Sequence, residues 1–389
     1  MSITVQAGAG TGCDLHAARL RSPRPRARIA SVSGSVTALD SPLAERHAAA
    51  ALSVPDGLAL VVVGSQAWNP ADRSLGREVI RSLHTIDSER RHHCAAFDPL
   101  GANGVRDLLE LPADADGPRL LLSTGYELLV CHLVRGSLDP IPLGEVSDLH
   151  ELALEGDRIL VANTKHDELI ELCLDGTVLG RERLDRFRHR RAQPIDHTRR
   201  LGGAAGPAAE SADHFHLNQG FLDHDRHRCV LVHHGSGFRP FAHVRHRLTG
   251  HGTGAVIDLD AGVVHELGLR APHTVRRFRD GFVVLDSGRA ELVAFDPQWR
   301  ELRRVPTPGW GRGAVVTPDE RVIYVALSST RRRYLEGNDT SAGLNQVVAI
   351  RTDSWEAGEA VAIPGVEQLW SLRLVERRVG DAMARIALP

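Results

Sequence analysis

The stretches HELALEGDRILVANTKHDELIELCLDG (residues 150–176) and HTVRRFRDGFVVLDSGRAELVAFDP (residues 273–297) follow one plan. Each opens on a histidine, continues as an alternating strand, turns at a glycine and runs through an apolar strand to Asn163 or Asp286, thirteen positions after the histidine. A short turn and a third strand then close on Asp175-Gly176 or Asp296-Pro297. Copies with longer turns start at His216 and Arg312, an incomplete copy starts at Glu367, and an upstream unit runs from Arg106 to Leu143. Short apolar runs such as Leu58–Val63, Arg119–Ser123 and Val322–Ala326 lie between Gly-, Asp- and Pro-containing turns with almost no 3.6-residue periodicity, which is an all-β pattern.

Units of this length cannot hide both faces alone, and radial stacking is the usual solution. The expectation is therefore an all-β chain forming a single β-propeller, with six blades, or seven as the alternative. The choice turns on Ser31 to Pro99, which either holds one more blade or completes one by pairing with the C-terminal strand. Residues 1–30 are expected to be a partly ordered arm, residues 31–389 the propeller. The Arg-, Pro- and Gly-rich stretch 186–212 is expected to be an irregular loop over one face.

The composition narrows the chemistry. Of 47 basic residues only Lys165 is lysine, and it has no glycine-rich neighbour, which argues against a phosphate-binding P-loop and against Schiff-base chemistry. The glycines of ITVQAGAGTGCDL are spaced wrongly for a dinucleotide fingerprint, so no nucleotide is expected. A net charge of −2 predicts no general attraction to nucleic acid or an anionic membrane. Five scattered cysteines without a C-x-x-C read as buried thiols in a reducing compartment. With no signal-peptide pattern and no apolar window of membrane length, a cytoplasmic protein is expected.

In a propeller the equivalent starts of successive inner strands converge on the axis. The repeats assign those starts to His150, His216, His273, Arg312 and Glu367. Three imidazoles with an open position suit a divalent transition metal (Fe, Zn, Mn or Cu), with Glu367 as fourth ligand, orienting group or general base. Arg312 would hold an anionic group of a small-molecule substrate. Asn163, Asp286 and Asn218 are further candidates for substrate or supporting contacts. The competing possibility is that each histidine caps its blade through hydrogen bonds. Of the adjacent pairs His92-His93 and His233-His234, at most one member can face the channel, because neighbours on a strand point to opposite faces. His224, His227, His243, His246 and His251 read as surface.

The segments SDLHELALEGDRILVANT (147–164), HFHLNQG (214–220), APHTVRRFRDGFVVLDSG (271–288), GWGRGAVV (309–316) and VALSSTR (325–331) resemble, in order, an uncharacterised bacterial propeller-like family. Its pattern runs D-x-H-x-L, N-T, H-L-N-G, P-H-S-P-R, D-S-G, R-G-L and S-x-x-R. The resemblance singles out Asp148, His150, Asn163, Thr164, His216, Leu217, Asn218, Pro272, His273, Asp286, Ser287, Gly288, Arg312 and Gly313. The chain departs from it at Gln219, Thr274-Val275 and Lys165-His166. The resemblance implies a propeller fold and no defined reaction.

Taken together, the residues lead to the expectation of a metal-dependent enzyme of specialised metabolism, doing lyase, isomerase or oxygenase chemistry in an axial pit. The alternatives are a non-catalytic binding or assembly scaffold with a structural histidine network, and a metal-free acid/base enzyme using Glu367.

Overall fold

The structure, a computed structural model, describes residues 52–65, 82–89, 91–95, 104–195, 213–239, 241, 249–328 and 345–386. The arm 1–30, Cys13, residues 196–212 of the expected loop, His243, His246 and Ser329–Arg331 lie outside the described residues.

The described strands form consecutive antiparallel four-stranded units. One unit spans Asp107–Asp114 to Ser137–Ile141, the next Leu149–Glu155 to Val178–Arg183, then Leu217–Leu222 to Val263–Leu269 and Pro272–Phe278 to Glu301–Pro306. A fifth runs from Gly311–Val316 to Gln346–Arg351, with two short edge strands, Glu356–Ala357 and Val361–Ala362. In the sixth, the C-terminal strand Gln368–Glu376 pairs with Leu58–Ser65, which is followed by Leu83–Asp87 and His92–Ala95. The region before Pro99 thus completes a unit with the C-terminal strand.

Apolar side chains from successive units interleave in layers. Leu108 and Leu120 pack with Val61 and Val63, Leu121 with Leu152 and Val161, and Leu160 with Val230. Val284 packs with Leu231, Leu285 with Val325, and Tyr324 with Leu60. An apolar layer therefore lies between each unit and the next, and the last unit packs on the first, so the ring is closed and the chain is a β-propeller. Joining the first described strand and the last in one sheet makes closure depend on 8 paired positions between Leu58–Ser65 and Gln368–Glu376. The Arg377–Arg385 helix, which the strand-rich sequence pattern does not announce, lays Val379 and Met383 on the Ala59, Val61 and Val375 layer. No described helix is long and apolar enough to cross a membrane.

Inner strands approach one another closely at the axis. A Cβ on Gly313 would lie 2.7 Å from Ser371 Cα and 2.8 Å from Leu372 N, atoms of a neighbouring backbone that cannot swing away. Gly180, by contrast, has nothing within 4 Å of such a Cβ. Gly313→Ala is expected to cost about 1–3 kcal/mol through overpacking, and Gly180→Ala to be nearly neutral. Urea unfolding midpoints check the pair, and equal midpoints would refute the close approach.

Candidate functional site

Every inner strand carries the same irregularity close to its start. The pairing runs Leu149↔Asn163 and then Leu152↔Val161, Leu217↔Val232 and then Gln219↔Leu231, His273↔Leu285 and then Val275↔Val284. The other units repeat it: Gly311↔Leu327 is followed by Gly313↔Ala326, and Gly64↔Leu369 by Val63↔Ser371. In the first unit the N–H of Arg106 joins the Ser123 carbonyl, whose residue already pairs with Asp107. These are β-bulges, which place an extra residue against one partner and re-aim side chains.

The bulges define the true equivalents: Arg106, His150, Asn218, His273, Arg312 and Trp370, each followed by Asp107, Glu151, Gln219, Thr274, Gly313 and Ser371. Two residues before the first four lie Gly104, Asp148, His216 and Ala271, all with left-handed φ of 46–59°. Arg106, His150, Glu151, Asn218, His273, Thr274, Arg312 and Trp370 line one axial pit of about 270 Å³ including its open mouth.

This register corrects two expected equivalences. His216 occupies the position of Asp148, two residues ahead of the bulge, and Glu367 lies three residues ahead of Trp370. His216 touches the edge of His150, with ring centroids 5.2 Å apart, and is oriented by Asp213 through its backbone N–H (2.8 Å) and Nδ1 (3.0 Å). Glu367 is buried, and its backbone N–H donates to the Ser65 carbonyl. Among the described residues, the donors close enough to share one ion belong to Asp223, Cys229 and Asp258, not to His150, His216, His273 and Glu367. The carboxylates of that other set are engaged by turn N–H groups and by His227.

Asn163 and Asp286 stand behind the pit. Asn163 accepts from the Ser147 N–H (2.9 Å) and Asp286 from the Arg270 N–H (2.8 Å), each three residues before its histidine. Both tie down the turn that delivers the inner strand. Asn218 is in the pit. His233, from one of the two adjacent pairs, joins the ring: its imidazole lies 4.3 Å from His216 and 5.1 Å from His273, while His234 turns to Thr253. Burial, then the surrounding histidines, hold His233 well below the ordinary imidazole range.

Hydrogen bonds assign the tautomers of two histidines. The Pro272 carbonyl can only accept, so the Asn218 amide nitrogen faces it (2.7 Å) and the amide oxygen faces His150. Nδ1 of His150 therefore carries the proton and donates to Asn218 (2.9 Å), leaving Nε2 as a lone pair. Burial pushes this imidazole down to about 4, against the pull of the Asp148 carboxylate, whose Oδ1 lies 3.6 Å from Nε2. Burial opposes ionisation of Asp148 too, but Arg106 and His150 hold it well below the usual carboxylate range.

His273 is set by a different chain. The Ser287 hydroxyl donates to the Gly311 carbonyl (2.5 Å), so its oxygen accepts Nδ1–H of His273 (2.8 Å). Nε2 of His273 then accepts from Arg312 NH1 (3.1 Å). That guanidinium lies 4.0 Å from the centre of the Trp370 ring, and Arg106, from the next unit, lies 4.6 Å from it. The Trp370 indole N–H is anchored on Ser65 Oγ (2.5 Å).

Below the pit the channel is crossed by ion pairs. Asp107 is gripped by Arg373, and Glu151 meets Arg276 (3.3 Å) and the Thr274 hydroxyl. Burial raises the Glu151 carboxyl, with Arg276 opposing.

No protein-family model and no curated protein matches the chain. Solved structures do. It is similar to a chain of a nidogen/laminin complex (10% identity, 82% of this chain and 98% of that one, TM-score 0.51). It is also similar to a streptogramin B lyase (11%, 84% and 95%, TM-score 0.45) and to a luciferin-regenerating enzyme (14%, 67% and 77%, TM-score 0.41). At these identities the likeness shows the propeller fold alone, a fold that hosts enzymes and non-enzymes.

Proposed function

We propose that the axial pit is the active site of an enzyme that moves a proton on a small polar or anionic substrate, with His150 as the base and Arg312 stabilising the negative charge that develops. The observation that supports this most directly is the tautomer of His150. A buried imidazole, neutral at pH 7 and presenting its unprotonated Nε2 beside a carboxylate, has the geometry of a general base with its charge-stabilising partner. When Nε2 takes a proton, Asp148 stabilises the cation formed. Arg312, braced by neutral His273 and the Trp370 face, cannot itself act as the base and serves as an oxyanion holder.

The Arg312 guanidinium in the same small space also disfavours a resident cation, since like charges repel. The chemistry is then acid/base work in place of metal chemistry, with His150 and not Glu367 as the base.

Incubating the protein in D₂O with a panel of small hydroxy- and oxo-carboxylates, and following loss of C–H signals by NMR, tests the reading. Exchange into at least one compound is expected. Because a base works unprotonated, the rate should hold as the pH falls from 7 to about 5 and decline only as it passes through about 4. A decline centred near the ordinary histidine value of about 6.5, or exchange that persists unchanged without His150, would remove His150 from the role.

A further inference from the structure

We propose a structural zinc site in the third unit, formed by Asp223, His227, Cys229 and Asp258. Asp223 follows the end of the strand that carries Asn218, five residues or roughly 16 Å along it. None of the four residues takes part in the reaction proposed above.

Three strands and one turn supply the donors. Leu217–Leu222 runs into Asp223, the turn after it carries His227, and Arg228–Val232 holds Cys229. Gly254–Asp258 ends on Asp258, directly opposite Cys229 in the sheet. One donor atom of each of Asp223, Cys229 and Asp258 lies within 4.8 Å of the other two. His227 supplies the fourth side, with its Nδ1 2.9 Å from Asp258 Oδ2 and 3.9 Å from Asp223 Oδ2. Around a tetrahedral zinc with bonds of about 2.0–2.3 Å, neighbouring donors sit about 3.3–3.8 Å apart. Shifts of about 1 Å or less therefore close the four on one ion.

The carboxylates are oriented before an ion arrives. Asp223 Oδ1 accepts the His227 N–H (2.8 Å), and Asp258 Oδ1 accepts the N–H groups of Asp260 (3.0 Å) and Ala261 (2.8 Å). Each Oδ2 is left on the side of His227, and bonds of this kind are what fix ligand carboxylates in metal sites. The nearby arginines turn elsewhere. Arg228 goes to Asp260 (2.6 Å) and Glu182 (3.1 Å), and Arg277 takes the Asp223 carbonyl (3.1 Å) instead of its carboxylate. Cys229 is a free thiol, 1% exposed, and no hydrogen bond among the described residues engages its S–H. Burial, then the Asp223, Asp258 and Asp260 carboxylates, push that thiol above its ordinary range, opposed by the Asp223 N–H. A cation at the centre relieves this field and gives the buried sulfur a partner.

The donor types choose the ion. Thiolate and imidazole suit zinc, whereas calcium and magnesium take shells of six or more oxygens. Two carboxylates, a thiolate and a neutral imidazole around Zn²⁺ leave one net negative charge, as in a Cys₃His structural site. Four protein donors leave no open position for a substrate, so the ion clamps three strands of one unit.

The test is to strip the full-length protein with a chelator and titrate it with zinc chloride, using Co²⁺ as the spectroscopic probe. One zinc per chain is expected, and cobalt should give a thiolate charge-transfer band with the intense visible bands of a tetrahedral site. Cys229→Ala should abolish the charge-transfer band. Asp258→Asn keeps the shape and an oxygen for the turn N–H groups, and should weaken zinc by more than the roughly 10–100-fold that loss of an outer partner costs. Zinc should raise the thermal midpoint of the stripped wild type and leave that of Cys229→Ala unchanged. Cys131→Ala, which removes a buried thiol of another unit, should bind zinc like the wild type. Absence of stoichiometric zinc binding would overturn the site, as would full binding by both Cys229→Ala and Asp258→Asn. Zinc kept in Cys229→Ala but lost in His150→Gln/His273→Gln would overturn it by placing the ion in the pit.

Discussion

Replacing His150 by glutamine is expected to lower the rate of proton exchange in the pit by about 10²–10⁴-fold, the usual contribution of a positioned general base. The fold should survive, because glutamine can still donate to Asn218 and is of similar size. Nearly all of the loss should appear in kcat, since in the proposed reaction Arg312 and not His150 holds the anionic group. Asn218→Leu provides a second reading of the same idea. Without the amide oxygen, the Nδ1 proton of His150 loses the acceptor that fixes its tautomer, and the proton can move to Nε2 beside Asp148. The rate should then fall although the base is still present. A rate within a factor of two of wild type in His150→Gln would place the chemistry elsewhere in the pit.

Asp107→Ala is expected to be the most damaging single change to stability, at about 3–5 kcal/mol, because it leaves a buried guanidinium without its counter-charge. Asp107 is fully buried and accepts from the Leu108 N–H (2.8 Å), the Leu152 N–H (2.7 Å), the Ser371 hydroxyl (2.5 Å) and Arg373 Nε (3.0 Å). Those donors come from three different units, so one carboxylate ties three inner strands together. Arg373 also reaches the Leu152 carbonyl (2.6 Å), a contact too weak to replace an ionic partner. The double variant Asp107→Ala/Arg373→Met should be more stable than Asp107→Ala alone, since it removes the stranded charge. Chemical denaturation of the three proteins decides it. A double variant less stable than the single one would show that Arg373 matters for packing and not for charge.

Much of the fold was legible because strands and turns are local. Leu58–Val63 and Arg158–Ala162 are short apolar runs bounded by turn residues, and the thirteen-residue interval from His150 to Asn163 and from His273 to Asp286 marks one hairpin built twice. The Ser147 and Arg270 N–H bonds give that interval its physical meaning, since each side chain at the end of the second strand holds the turn before the first. The equivalence failed at His216 and Glu367, where no such interval exists. The left-handed residue two positions before each of the first four bulges is Gly104, Asp148, His216 or Ala271, four different residue types that satisfy one backbone demand. No alignment by residue type could have matched them. Trp370 was missed for the same reason, and Arg106, although it opens the upstream unit, was not placed at the axis. The motif H-L-N held a usable signal, because its asparagine and not its histidine is the pit residue.

By itself the sequence determined that the chain is a ring of short antiparallel units, that it has a single lysine, and that histidine and arginine crowd the starts of the inner strands. These follow from local propensity, apolar alternation and composition. Only the tertiary structure decided which of those residues meet. A bulge turns two consecutive residues, such as His150 and Glu151, toward one pit, against the alternation that strand periodicity implies. The tautomer of His150 depends on Asn218, 68 residues away, and the brace on Arg312 depends on His273, 39 residues earlier. Such partners are set by how the units close around the axis, and closure is a property of the whole ring that no single repeat contains.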